Sequence, residues 1–189
     1  MVKAPEVKFV CLDLETTGLE PTEDVILEIG LTLGDSKLDA IASKELLVWP
    51  GRFDLGALDV IVGEMHTKSG LLNDLAEKAS SIHSTPAKVE EDVLEWLGSF
   101  GVERKTIPLM GSSVHFDRDF LKQHMPLLED FFTYRNIDIS SIMELTRRLD
   151  EVKELYHPPR AEVAHRALND VGNTMEQARF YYETFFRED

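Results

Sequence analysis

Asp13-Leu14-Glu15 sets two carboxylates two residues apart at the acidic end of an apolar, β-rich run over residues 7–15. In a strand, residues i and i+2 project to one face, so both carboxylates point the same way. Carboxylates this close repel one another and raise a pKa unless a cation or a hydrogen-bond donor compensates. A divalent metal ion is the simplest compensator, since hard cations take oxygen ligands. The plainer reading is a strand end meeting water, because short acidic motifs arise readily by chance in an acidic chain.

A second group is His165-Arg166-Ala167-Leu168-Asn169-Asp170. If His165 and Asp170 were both helical, they would lie about 140° apart around the axis and share no face. The arrangement that serves chemistry puts His165 in the loop before a helix and Asp170 on its first turns. The histidine then reaches over a metal held by the aspartate. A third group is Gly111-Ser112-Ser113-Val114-His115-Phe116-Asp117, where a short apolar strand ends in small residues and Asp117 starts a helix. On its own, Asp117 needs no role beyond complementing the helix dipole. His115 is given no catalytic role.

Together Asp13, Glu15, Asp117, Asp170 and His165 have the composition of a two-metal phosphoryl-transfer site. Magnesium prefers oxygen ligands and keeps several waters. Two ions about 3.5–4 Å apart stabilise both the attacking and the leaving oxygen. A histidine suits the task of removing a proton from water near neutral pH.

The composition limits what surrounds such a site. The chain has 189 residues and a net charge of −15, which fits a single domain over residues 1–189, at roughly 100–200 residues per domain. A protein this acidic repels long polyanions unless it carries a local basic surface or bound cations. That argues against tight, non-specific binding of long duplex nucleic acid, but not against a metal enzyme acting on very short nucleic acids. No stretch of about 18 apolar residues is present, so no membrane partner is expected. The first residues lack a signal-peptide or transit-peptide pattern. The expected location is the cytoplasm, with a mitochondrial or nuclear pool left open. The single cysteine, Cys11, excludes an internal disulfide and a cysteine-rich zinc site.

The elements that must hold these residues follow from periodicity. Residues 7–15, 25–33 and 45–49 read as three strands in an antiparallel meander. Residues 55–78 read as mostly helical, broken near Gly63 and Gly70. Thr85-Pro86 is an N-cap and N1 pair, with Val89, Val93, Trp96, Leu97 and Phe100 at helical spacing behind it. Residues 106–110 read as a short strand, 116–132 as a helix restarted at Pro126, 137–139 as a strand, and 140–149 as a helix capped by Ser140-Ser141. Residues 151–161 read as loop. A last helix carries Ala164, Leu168, Val171, Met175, Ala178, Tyr182 and Phe185. Strands followed by alternating helices and strands predict an α/β fold with a mixed central sheet, its first three strands antiparallel, and helices on both faces.

With those residues in view, the chain resembles a known family. Asp13-Leu14-Glu15-Thr16-Thr17-Gly18-Leu19, the segment around Asp117, and His165-x-x-x-x-Asp170 resemble the three motifs of the DEDDh exonuclease superfamily, which has a ribonuclease-H-like fold. The segments 65–71, 111–121, 134–141 and 165–170 are similar to the oligoribonucleases, in the family's order, and the match runs over about residues 7–186. The resemblance implies a 3′→5′ exoribonuclease that degrades short RNA of 2–5 nucleotides, chiefly dinucleotides, to 5′-mononucleotides. It implies two Mg²⁺ or Mn²⁺ ions held by Asp13, Glu15, Asp117 and Asp170, with His165 as the base. Leu19 matches a leucine that wedges between bases. Ser113, Arg135 and Ser140 match a phosphate pocket that caps the 5′ end, and His66 matches a further position near substrate without a catalytic assignment. The family is a homodimer in which a tyrosine of the second subunit completes each site, and Tyr134 matches it.

There are departures. Asn169 and Ser112 stand where the family usually has an acidic residue and an asparagine, and Phe116 stands at an often polar place. Near Ile61 a base-stacking aromatic of bacterial members is replaced. None of these changes removes a metal ligand. Two other readings remain open at this point: a DEDDh exonuclease acting on longer 3′ ends, and a non-enzymatic scaffold that keeps the fold.

Overall fold

The computed structural model describes residues 6–49, 54–78, 84–149 and 165–186. Among them, strands β1 (Phe9–Thr16), β2 (Ile26–Gly34) and β3 (Ala40–Leu47) form the antiparallel meander. Strands β4 (Leu109–Gly111) and β5 (Asn136–Asp138) add in parallel, giving a five-stranded sheet in the order β3-β2-β1-β4-β5. The helices are α1 (Val60–Lys68), α2 (Leu71–Lys78), α3 (Pro86–Ser99), α4 (Val114–His124), α5 (Pro126–Glu129), α6 (Ile139–Thr146) and α7 (Ala167–Tyr181). No helix of the described residues is long and apolar enough to cross a membrane.

β1 is buried on both faces, and its alternation divides the core. Val10, Leu12 and Leu14 pack on one side with Val89, Val93 and Leu97 of α3, Phe120 and Leu121 of α4, and Leu128 of α5. Phe9 and Cys11 face the other side with Ile139 of α6 and Val171, Met175, Ala178 and Tyr181 of α7. Full burial of an aliphatic side chain such as Leu12 contributes about 1.5–3 kcal/mol. The period of two therefore decides where Asp13 and Glu15 go. They continue the Phe9–Cys11 row and emerge on the α7 face.

Several boundaries differ from the sequence expectation. β3 begins at Ala40, not near residue 45, because it is held by its ladder to β2 (Gly34 opposite Ala40, Leu31 opposite Lys44) rather than by an apolar run. α1 runs straight through Gly63, whose N–H donates to the Asp59 carbonyl at 2.8 Å, and the chain breaks only at Gly70, where φ is +80°. α6 is capped by Asp138, whose carboxylate accepts the Ser140 N–H, rather than by Ser140-Ser141. On α7, Val171, Met175 and Ala178 are buried as expected, while at the two ends Ala167 and Tyr181 are buried in place of Leu168 and Tyr182. The loop expected over residues 151–161, and Ala164, lie outside the described residues.

Candidate active site

The register of β1 on β2 sets the floor of the site. Asp13 lies opposite Gly30 and Glu15 opposite Glu28, so these residues share one face. At Gly30 a Cβ would stand 2.5 Å from the Ala167 carbonyl carbon. Glycine there lets the start of α7 lie directly on the sheet beside Asp13. Asp170 sits in the first turn of α7, and Cys11 Sγ lies 3.9 Å from the Val171 carbonyl on the same face.

His165 precedes α7 with φ of +48°, in the left-handed region that a non-glycine residue seldom adopts. Arg166, extended, follows as the N-cap position. This places His165 in the approach to the helix and Asp170 within it. Donor atoms of Glu15, His165 and Asp170 all lie within 4.8 Å of one another. Asp117 arrives from the other direction. β4 runs parallel beside β1, the chain turns at Ser113 with φ of +56°, and α4 then carries Asp117 back to β1. Its Oδ1 accepts the Leu14 N–H at 3.1 Å, the backbone link between Asp13 and Glu15.

The electrostatics agree with that geometry. Asp13 is pushed well above the usual carboxylate range by burial, then by the charges of Asp117, Asp170 and Glu28. Burial raises Glu15 to about 8, with Asp13, Asp170 and Glu28 adding to it and Arg166 opposing. Asp117 is raised to about 8 by burial, against hydrogen bonds from its own backbone N–H and that of Leu14. Asp170 is raised as well, mainly by burial, while Asn173 and His165 work the other way. Four carboxylates that hold their protons this strongly are a donor set short of positive charge. They fit a divalent cation, and the proximity of Glu15, His165 and Asp170 fits one too.

A stability prediction follows. An unfolded chain releases the Glu15 proton near the ordinary carboxylate value, about 4.3, while the folded chain holds it to about 8. The unfolded state therefore binds fewer protons across that interval, and the cation-free fold loses stability as pH rises through it. Thermal melts in chelator should show a midpoint falling from pH 5 to pH 8, less steeply in Glu15→Gln. Millimolar Mg²⁺ should raise the midpoint more at pH 8 than at pH 5. A wild-type midpoint indifferent to pH in chelator would contradict this.

The remaining sequence-selected residues lie around this centre. His66, on α1, is 0% exposed. Its Nε2 donates to the Thr16 carbonyl at 2.8 Å. Its Nδ1 stands 3.7 Å from Glu15 Oε2 and has no hydrogen-bond partner among the described residues. Burial lowers its pKa, against the hydrogen bond to Thr16, and so disfavours the charged ring. With no exposed surface, it adjoins the carboxylate cluster through Thr16 and Glu15. Leu19 is 82% exposed on a loop held by Asp24, whose carboxylate accepts from Thr17 Oγ1 and the Glu20 N–H. Ser113 and Ser140 adjoin, with their hydroxyls 2.9 Å apart and the Ser113 N–H donating to both Ser140 Oγ and Asp138. Tyr134 is 81% exposed, and its hydroxyl accepts from Arg135 Nε at 3.1 Å. Arg118 anchors that segment by donating to the Thr133 carbonyl, Asn136 Oδ1 and Glu129.

Sequence reasoning passed over Glu28 and Arg166. Both signals were present. Glu28 is the one charged residue in the apolar run 25–33, and Arg166 lies between the histidine and the aspartate of the third motif. Glu28 is fully buried and accepts from Arg166 Nε at 3.1 Å, Arg166 Nη2 at 2.7 Å and the Ala167 N–H at 2.9 Å.

Comparison with known proteins agrees with this architecture. The exonuclease (RNase_T) family model matches residues 10–178. The oligoribonuclease of Halorhodospira halophila is 36% identical over 183 residues, covering 96% of each chain. The oligoribonuclease of Mycobacterium sp. strain KMS is 34% identical over 180 residues, covering 95% of this chain and 81% of the relative. Among solved structures, exonuclease I of Methylocaldum szegediense superposes with a TM-score of 0.68 at 20% identity, over 94% of this chain. A zinc-bound complex of E. coli exonuclease I with single-stranded DNA gives 0.70 at 14% identity, over 96% of this chain. This chain spans 40% and 42% of those two proteins, which share its fold. By the family match and the identity to its relatives, the chain belongs to the oligoribonucleases of the DEDD exonuclease superfamily.

Proposed function

We propose that the protein is a 3′→5′ exoribonuclease that hydrolyses very short RNAs, chiefly dinucleotides, to 5′-mononucleotides. The observation that carries this reading is the convergence of Glu15 from β1 and His165 and Asp170 from the start of α7 within 4.8 Å. Asp13 shares the face of Glu15 on β1, Asp117 accepts the N–H of Leu14 between them, and the charges of these carboxylates act on one another. Asp13, Glu15, Asp117 and Asp170 would hold two Mg²⁺ or Mn²⁺ ions. Bound there, such ions would supply a water of lowered pKa and charge stabilisation at the leaving oxygen. His165 acts as the general base, taking the proton of the attacking water on an imidazole nitrogen. In support of this role, His165 lies just before α7 with a left-handed backbone and a ring nitrogen within 4.8 Å of carboxylate oxygens of Glu15 and Asp170.

Substrate length is read where Ser113 and Ser140 adjoin, at the starts of α4 and α6. The hydroxyls of Ser113 and Ser140 and the guanidinium of Arg135 take the 5′-terminal phosphate, a dianion suited to a planar fork with hydroxyl partners. Leu19, apolar and exposed on its braced loop, separates the bases. Tyr134, equally exposed, is free to complete the site of a second copy of the chain in a homodimer.

The test is a length series of 5′-labelled RNAs from 2 to 20 nucleotides, with Mg²⁺ and with chelator. A preference for the dinucleotide, lost in chelator, is expected. Preference for the 20-nucleotide strand would replace this reading with that of an exonuclease on long 3′ ends. Within the same series Arg135→Ala should raise KM for the dinucleotide by about 10-fold or more, since a charge-assisted phosphate contact is worth roughly 1.5–3 kcal/mol. The preference for short over long RNA should shrink with it. An unchanged length profile would remove the phosphate role from Arg135.

A further inference from the structure

We infer that Glu28 and Arg166 are positioning residues for His165 and Asp170, an ion pair that seats the start of α7 on the sheet. The inference rests on the function proposed above for what His165 and Asp170 do, but not for how they are held. Glu28 is the third residue of β2, has no exposed surface, and lies opposite Glu15 in the ladder. Like charges placed directly opposite across a ladder are destabilising, so an uncompensated carboxylate at this position would be costly.

Two donors of one guanidinium and one backbone N–H compensate it. Arg166 Nε and Nη2 fork onto the carboxylate, and the Ala167 N–H, one of the first free donors of α7, adds a third contact. The other arm of Arg166 reaches Asp74 of α2 at 3.0 Å, and Glu45 of β3 stands 3.8 Å away. Arg166 thus ties α7, β2 and α2 together at one point. His165 is its immediate neighbour, and the Asp170 N–H donates to the Arg166 carbonyl at 3.0 Å. A shift of Arg166 moves both residues.

The pair has a second consequence. Glu28 faces the same cluster as Asp13, Glu15 and Asp170, and its charge acts on each of them. With its oxygens taken by Arg166 and Ala167, Glu28 does not compete as a further cation ligand. The cluster is left with the four carboxylates of the three motifs. Only a fork on Glu28 does both jobs, since a lysine would supply one point charge and no planar pair of donors.

The test uses the full chain and the variants Glu28→Gln and Arg166→Lys, assayed with a dinucleotide at saturating Mg²⁺ below the melting temperature of each. Expected is a 10- to 100-fold fall in kcat, the usual effect of losing a group that orients an active-site side chain, with KM within about threefold of wild type. In a His165→Ala background, Glu28→Gln should then cost less than it does in the wild type, because the part of its effect that runs through His165 is already lost while the part that runs through Asp170 remains. An equal loss in both backgrounds, or an unchanged kcat in the single variants, would overturn the inference. Hydrogen–deuterium exchange of the amides of residues 167–170 reads the same clamp without turnover. It should speed at least about tenfold in Glu28→Gln while α3 amides stay at wild-type rates, as expected of a local rather than a global opening. Exchange that is unchanged, or faster everywhere alike, would also overturn it. If the wild-type enzyme left dinucleotides intact while exchange responded as expected, the substrate reading would fall and the clamp would stand. Should Glu28→Gln not fold, Arg166→Lys carries the same readouts, since it keeps the positive charge and loses only the fork.

Discussion

Asp13→Ala and Asp170→Ala are each expected to lower dinucleotide turnover by at least about 10³-fold while leaving the protein folded. The size follows from what a cation supplies in phosphoryl transfer, several kcal/mol of charge stabilisation, at 1.36 kcal/mol per factor of ten. That the fold survives follows from electrostatics. Asp13 is raised by burial and by the charges of Asp117, Asp170 and Glu28, so in the cation-free protein its ionised carboxylate is a liability. Asp170 is likewise raised by burial. Removing either leaves the metal-free midpoint equal or higher and takes away most of the rise produced by Mg²⁺. Initial rates together with melts in Mg²⁺ and in chelator measure both halves. A variant that turned over at near the wild-type rate would refute the metal-ligand assignment, whatever its midpoint did.

The parts of this site that were legible in the sequence are those in which a local pattern dictates direction. β1 alternates between two cores, and that period of two, read from residues 9–14, is enough to send Asp13 and Glu15 to one face. The placing of Asp170 is similar, since the four-and-three spacing of Val171, Met175 and Ala178 marks the buried stripe of α7 and thereby the helix start. What could not be read is what depends on partners distant in the chain. β3 lacks an apolar run and exists because β2 offers it a ladder from Gly34 to Glu28. The approach of α7 to the sheet depends on the missing side chain at Gly30, 137 residues before Ala167. In sequence Gly30 is only one glycine in a strand.

Glu28 illustrates the same limit from the other side. A buried acid in an apolar strand announces that something must satisfy it, but the sequence does not say which cation. Several basic residues were available, and the choice of Arg166 is made by register. Glu28 pairs with Glu15 in the ladder, and the start of α7 passes over Gly30 two residues further along β2. Asp138 shows the reverse case, a local device mistaken for its neighbour. It caps α6 through the Ser140 N–H and also takes the Ser140 hydroxyl and the Ser113 N–H. The seryl pair that sequence comparison singles out is thus organised by an aspartate it does not mention.

His165→Ala is expected to reduce kcat by about 10²–10⁴-fold, the range for loss of a positioned general base. KM for the dinucleotide and the affinity for Mg²⁺ should stay within about threefold of wild type, since a base that acts on water alone is not part of uniform substrate binding. The same geometry admits a rival role that the experiment separates. Nitrogen and oxygen donors of His165, Glu15 and Asp170 lie close enough to share one ion. Were His165 a ligand, its loss would weaken cation binding by about tenfold or more, and excess Mn²⁺, which accepts nitrogen ligands more readily than Mg²⁺, would restore turnover. The physical argument favours the base. Mg²⁺ sites are built from oxygen donors, and four carboxylates are already present. The +48° φ at His165 holds it outside the helix that carries Asp170. Cation affinity that falls with turnover would reassign His165 from proton acceptor to metal ligand.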